Sequence, residues 1–279
     1  MATGSNLNFD ADIAALEPGQ ADLWGLRSGD RGTHTSRTIM LDELSHLLDT
    51  VPENAVREDY AEAVIVQNCL GKRTTSTRKI SFQRLTELYA LDPKVILFRA
   101  LRNLWARSET SRPLLALLMA LARDPLLRAT ATTLLDTPYG SEFSRQSVKD
   151  ALSEVVEGRL NGATLDKVVR NATSSWTQSG HLSGRVVKIR QHVEATPTAT
   201  TFALLLGFAV GRRGRLLFCA PWVAILDVGF ENLVDLTVDA KRLGLLDLKQ
   251  FGSMIDVSFP AFFIDKVGDL IHGAHRQVG

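Results

Sequence analysis

The chain has 279 residues, 45% hydrophobic and 23% charged, enough apolar material for one large or two modest domains and too much for a chain disordered throughout. Its formal net charge is +1, which excludes a uniformly basic nucleic-acid binder. The charge is unevenly spread, however: residues 1–62 hold twelve acids against four bases, and residues 71–128 hold twelve bases against four acids, so a neutral total conceals an acidic and a basic zone.

Residues 1–36, rich in Gly, Asp, Ser and Thr without lasting periodicity, read as a loosely ordered acidic arm. The opening MATGSNLNFDADIAALEPG lacks the apolar stretch of a secretory signal. Helical spacing begins after Ser36, with Ile39, Leu41, Leu44, Leu47 and Leu48 on one face, and a second helix runs through Tyr60, Val64 and Cys69 to a stop at Gly71. Beyond the loop LGKRTTSTRK, Phe82, Leu85, Leu88 and Tyr89 face inward from a third. Asp92 and Pro93 have the chemistry of an N-cap and a first helical position, and Pro113 and Pro125 open helices 113–123 and 125–135. Short helices in succession predict a helical bundle over 37–138 rather than alternating strands and helices.

A second, α-rich section is predicted over 144–279, with helices at 144–157, 198–210 and 230–243 and a strand at MIDVSF (254–259). LLALLMALA (114–122) and TFALLLGFAVG (201–211) fall short of the roughly 20 apolar residues that a bilayer requires. They read as buried core helices, and no membrane partner is expected. Cys69 and Cys219, both in apolar surroundings, fit a reducing cytoplasmic setting better than a disulfide framework.

The richest stretch is TLDKVVRNATSSWTQSGHLSGRVVKIRQHV (164–193). Leu165, Val168, Val169, Ala172 and Trp176 make one helical face, with Thr164 as N-cap and Gly180 as stop. The other face carries Lys167, Arg170, Asn171, Ser174 and Gln178, the side-chain types that reach base edges and phosphates. In VVKIRQHV, Lys188, Arg190 and His192 alternate with Val187, Ile189 and Val193. A helix, a Gly-bounded turn and a basic strand make a winged-helix-like pattern. The same stripe also fits an ordinary solvated surface, yet no acid occurs between Asp166 and Glu194, whereas a solvated face normally mixes both signs. Residues 230–260 repeat the pattern with an acidic outer face (Glu231, Asp235, Asp239), which suits packing or partner binding.

A second basic zone places Lys72, Arg73, Arg78, Lys79 and Arg84 around a hydroxyl-rich helix start at Thr74–Thr77, suited to phosphate or to a plain capped helix. Val66 stands where a Walker loop needs its first glycine. Arg99, Arg102 and Arg107 extend the basic surface along the next helix or pair with nearby acids; Arg212, Arg213 and Arg215 read as a loop tip. No histidine or cysteine spacing forms a metal signature, SGHLSG lacks the serine of a nucleophile elbow, and His181 reads as a turn residue. Neither catalytic residues nor a cofactor are expected.

The run NCLGKRTTSTRKISFQRLTELY resembles the N-L-L-x-K-x-S-x-x-[RK]-x…R-L signature of the small BrxA proteins of BREX phage-defence islands, through Asn68, Leu70, Lys72, Ser76, Arg78, Lys79, Arg84 and Leu85. The likeness extends over residues 36–193. It implies a mainly helical fold similar in part to the transcription factor NusB, binding to double-stranded DNA, no catalytic residues, and other antiviral defence proteins as partners. The combined expectation is a mainly α protein, a helical bundle followed by winged-helix-like units with a few short strands. It would bind DNA without catalysis through Lys72, Arg73, Arg78, Lys79, Arg84, Lys167, Arg170, Asn171, Gln178, Lys188 and Arg190. The alternatives are an RNA-binding variant and a protein-interaction scaffold without DNA contact.

Overall fold

A computed structural model describes residues 7–156, 158–252 and 254–263. In the first section, helices α1 (Phe9–Ala14) and α2 (Gln20–Trp24) and a 3₁₀ turn (Thr33–Thr35) precede α3 (Leu41–Thr50). Phe9, Ile13, Trp24 and Leu26 are buried, and Phe9 packs edge-on against Trp222 at 5.1 Å. Residues 7–36 are therefore docked rather than a loose arm; residues 1–6 of that expectation lie outside the described residues. The apolar anchors are too few to show a period, but each enters the core. Three acids of this segment find bases far along the chain: Asp10 with Arg128 at 2.6 Å, Asp12 with Arg212 at 2.8 Å and Asp30 with Arg159 at 2.5 Å.

Next come α4 (Arg57–Ala61), which runs into a π-turn (Glu62–Val66), then α5 (Thr75–Tyr89), α6 (Ile96–Trp105), α7 (Arg112–Arg123), α8 (Pro125–Arg128) and α9 (Ala131–Asp136). Helix α5 begins inside the segment expected to be a loop, because the Thr74 hydroxyl accepts from the Thr77 amide and supplies the cap. Helix α6 starts later than Asp92-Pro93 suggests, since the Asp92 carboxylate accepts from the Lys94 amide and forms a turn there. Asp124 caps α8 by accepting from the amides of Leu126 and Leu127, and the expected helix 125–135 breaks at Ala129–Thr130.

The remaining elements are α10 (Arg145–Val156), α11 (Gly162–Gln178), β1 (Leu182–Ser183), β2 (Ile189–Arg190), α12 (Pro197–Ala209), the short turns α13 (Arg215–Phe218) and α14 (Pro221–Ala224), α15 (Phe230–Arg242), β3 (Asp247–Phe251) and β4 (Met254–Ser258). Two antiparallel hairpins result. One pairs Leu182 with Arg190 and Ser183 with Ile189; the other runs from Asp247 opposite Ser258 to Phe251 opposite Met254. Strand β3 was not expected from the sequence.

The fold is mainly α with short strands, as expected. At its centre α7 and α12 pack together, with every residue of Leu114–Ala122 and Thr198–Ala209 buried. The described residues of 37–138 and of 144–263 thus share one hydrophobic core. Among the described residues no helix is long and apolar enough to cross a membrane.

Candidate nucleic-acid interface

Helix α11 is capped by Asn161, whose side chain accepts from the Thr164 amide at 2.9 Å, so it begins before the expected Thr164. Its apolar face is buried as the spacing predicts. Its polar stripe divides in two. Lys167 and Arg170, one helical turn apart, are exposed and have no ion pair among the described residues. Asn171 and Gln178 face the N-terminal segment: Asn171 Nδ2 donates to the His34 carbonyl at 2.8 Å. Gln178 accepts from the Leu41 amide at 3.2 Å and donates to Thr38 Oγ1 at 3.1 Å. Both are spent satisfying backbone of an incoming segment and are not free to read bases, a correction to the expected reading face.

The hairpin β1–β2 closes through Gly184 (φ +90°), where a Cβ would stand 2.2 Å from the Val187 carbonyl oxygen. Arg190, expected on the outer face of a wing, is buried. Its Nη2 donates to both carboxylate oxygens of Asp227 at 2.6 Å, its Nε donates to the Leu134 carbonyl, and its guanidinium lies 4.9 Å from the Tyr139 ring centre. It fastens the hairpin to two distant loops and cannot contact DNA. Lys188 is half-buried, donating to the Gly184 carbonyl at 2.6 Å. His192 stacks on Tyr139.

Several of the cations left at the surface meet at the start of α10. Arg145 lines two adjoining clefts of about 370 and 350 Å³, one shared with Val186 and Lys188, the other with Lys149 and Arg170. Lys149 is paired with Asp166 at 2.8 Å, and Glu142 borders the first cleft. Among the described residues Arg145 makes no ion pair; its one long hydrogen bond goes to the Val186 carbonyl at 3.4 Å. Arg145 was missed in the sequence because it follows Ser144 in an ordinary amphipathic helix; only its position in space singles it out.

The zone at the start of α5 is mostly consumed. Lys72 pairs with Glu43 at 3.0 Å and Arg84 with Glu87 at 2.7 Å. Arg78 donates to the carbonyls of Ile65 and Lys72. Arg73 and Lys79 are exposed. The two threonines Thr74 and Thr77 bond each other at 2.9 Å, so this is a capped helix start held by internal bonds. The expected extension along α6 loses two of its three arginines: Arg102 is buried, donating to the Val51 carbonyl at 2.6 Å, and Arg99 donates to the Phe262 carbonyl at 3.1 Å, while Arg107 is exposed. Arg212 pairs with Asp12, and Arg213 lies over Phe208 at 3.5 Å. Cys219 is exposed rather than buried.

A polar chain that sequence spacing could not show runs through the interior. His34 Nδ1 meets Asp124 Oδ2 at 2.8 Å, and His34 Nε2 meets Ser175 Oγ at 2.8 Å. Ser175 Oγ also accepts from the Ile39 amide at 3.0 Å. Burial would raise the Asp124 carboxyl, but the charge and hydrogen bonds of His34, with the Leu127 amide, hold it below its ordinary value. Gly32 makes room for this: a Cβ there would stand 2.0 Å from the Asp124 carboxylate. Although serine, histidine and aspartate stand in the order of an acyl-transfer relay, all three are sealed in the core, and a nucleophile must reach its substrate. The chain clamps the N-terminal segment onto α8 and α11. His181 is likewise structural, bonded to Ser179 Oγ and the Ile225 carbonyl.

No group of His, Cys, Asp and Glu among the described residues could hold a metal ion. The geometry therefore defines a mainly α scaffold with a surface cluster of cations at the start of α10 and polar side chains engaged in the interior. Compared with known families and with curated proteins, the chain matches no family model and no curated protein.

Proposed function

We propose that the protein binds double-stranded DNA without catalysing a reaction on it, gripping the phosphate backbone between α10, α11 and the β1–β2 hairpin. The observation that carries this is the convergence on Arg145 of two clefts, one reaching Arg170 and the other Lys188. Lys167 stands one turn from Arg170 on the same exposed face. Side chains that could read bases are engaged elsewhere, so the contact is with phosphate and carries little sequence preference. Arg73 and Lys79 are further candidates for backbone contact. On the strength of the resemblance over residues 68–85, the role would be that of an accessory protein in a bacterial phage-defence system of the BREX kind.

If Arg145, Lys167, Arg170 and Lys188 each neutralise one phosphate, affinity for a duplex should fall by roughly two orders of magnitude between 50 and 200 mM salt. Gel shifts at the two salt concentrations test this, together with an Arg145→Ala/Arg170→Ala variant. The variant should retain its fold and lose most binding; equal retention at both salts would remove the proposal.

A second reading, a scaffold that binds protein, has one specific observation in its favour. Phe251 and Met254, at the tip of the β3–β4 hairpin, are 89% and 72% exposed. Under that reading the duplex shift is absent, and a Phe251→Ser variant loses a protein partner instead.

A further inference from the structure

Between the N-terminal segment and α5 lies a cleft of about 370 Å³, within the range of small-molecule sites, about 300–1,000 Å³. Five guanidinium groups enter it: Arg27 and Arg31 from the segment after α2, Arg84 from α5, Arg123 at the end of α7, and Arg159 from the loop before α11. Against them stand Glu87 in the lining and Asp30, paired with Arg159. Three positive charges are left uncompensated among the described residues.

The five divide by role. Arg123 is held by the carbonyls of Gly25, Thr86 and Glu87, and Arg159 by Asp30. Arg84 is fixed through Glu87, yet its buried Nε has no hydrogen-bond partner among the described residues. Arg27 makes one long bond, to the Glu87 carbonyl at 3.5 Å. Arg31 makes no hydrogen bond or ion pair among the described residues, and both are exposed. Burial, and after it the charge of Arg27, pushes Arg123 down to about 9. The Glu87 carboxylate, already counted among the compensating charges, is held in place by Arg84, Thr33 and Gln83, which all donate to it.

A rigid cationic floor beneath two exposed arginines suits phosphate groups, which guanidinium binds in fork geometry. Among the described residues no aromatic ring and no apolar side chain lines the cleft, so none of them stacks a base or holds an acyl chain. We propose that this cleft binds a small, base-free molecule carrying two or more phosphate groups, at a site separate from the Arg145 ridge.

Calorimetry and thermal melting of the full chain with sodium pyrophosphate, orthophosphate and ADP at constant ionic strength test it. Pyrophosphate should bind roughly tenfold or more tighter than orthophosphate and raise the Tm as its concentration rises. ADP should bind no tighter than pyrophosphate. An Arg27→Ala/Arg31→Ala variant should keep the ligand-free Tm and lose roughly tenfold or more in pyrophosphate affinity, while Arg145→Ala/Arg170→Ala should leave that affinity unchanged. The proposal is overturned by no heat and no Tm shift with pyrophosphate, by equal binding in the Arg27/Arg31 variant, by equal loss in the Arg145/Arg170 variant, or by ADP binding more tightly. Pyrophosphate binding without any duplex shift would uphold this site while removing the DNA reading, and the reverse result would do the opposite.

Discussion

The two helix-and-hairpin units, α11–β1–β2 and α15–β3–β4, share an order of elements and differ in how the hairpin is held. The first has strands of only two residues, yet it is pinned from outside: Glu142 bridges to Ile189, the Gly140 amide donates to the Arg190 carbonyl, and Arg190 itself is buried against Asp227. The second has strands of five residues, of which only Leu248 and Val257 are buried, and its tip stands in solvent. Strand length therefore says little about how firmly a hairpin is anchored. What counts is whether a side chain from it completes an interior polar site.

The sharpest way to break this comparison is to remove Asp227. Asp227→Ala leaves the Arg190 guanidinium buried with carbonyls alone, which should lower unfolding free energy by about 3–5 kcal/mol, measured by urea denaturation. A double replacement, Arg190→Met with Asp227→Leu, should recover most of that loss. If Asp227→Ala cost less than about 1 kcal/mol, the anchor role would be wrong.

Acid should loosen the first unit next. Burial pushes the His181 imidazole down to about 4; the charge of Arg190 adds to this, while the Ile225 carbonyl and Asp227 oppose it. An unfolded imidazole takes up its proton near its ordinary value of about 6.5, so between these values the unfolded state binds more protons. Stability is then lost as pH falls through that window, by roughly 3 kcal/mol in all. Urea midpoints measured from pH 7.5 downward follow it, and a flat profile over the window would count against a buried neutral ring.

The smallest effect is expected in the second unit. Phe251→Ser touches an exposed tip and should change stability by no more than about 0.5 kcal/mol. A larger loss would mean that the β3–β4 tip is anchored after all.

Helix positions were legible where apolar residues recur over several turns, as in α3 and α15, because one buried stripe fixes the phase, and in α7 and α12 as apolar runs buried all round. The strand β3 was not, since LLDLKQF after Gly244 shows neither a turn signal nor clean alternation. Polar function was harder still. Asn171 and Gln178 resemble base-reading residues, but a side chain that satisfies incoming backbone has the same identity and spacing as one that faces solvent. Arg190 was assigned to the wrong face because two residues of strand fix no phase, and Asp227, which draws it inward, lies 37 positions away. The Arg27–Arg159 cleft draws on four separate stretches, so no local motif announces it.

The clamp formed by His34 has a consequence for biosynthesis. Its two side-chain partners lie 90 and 141 positions downstream, so residues 7–36 cannot complete their docking until Ser175 has cleared the ribosome. Until then Phe9, Ile13 and Trp24, buried in the finished fold, stay exposed.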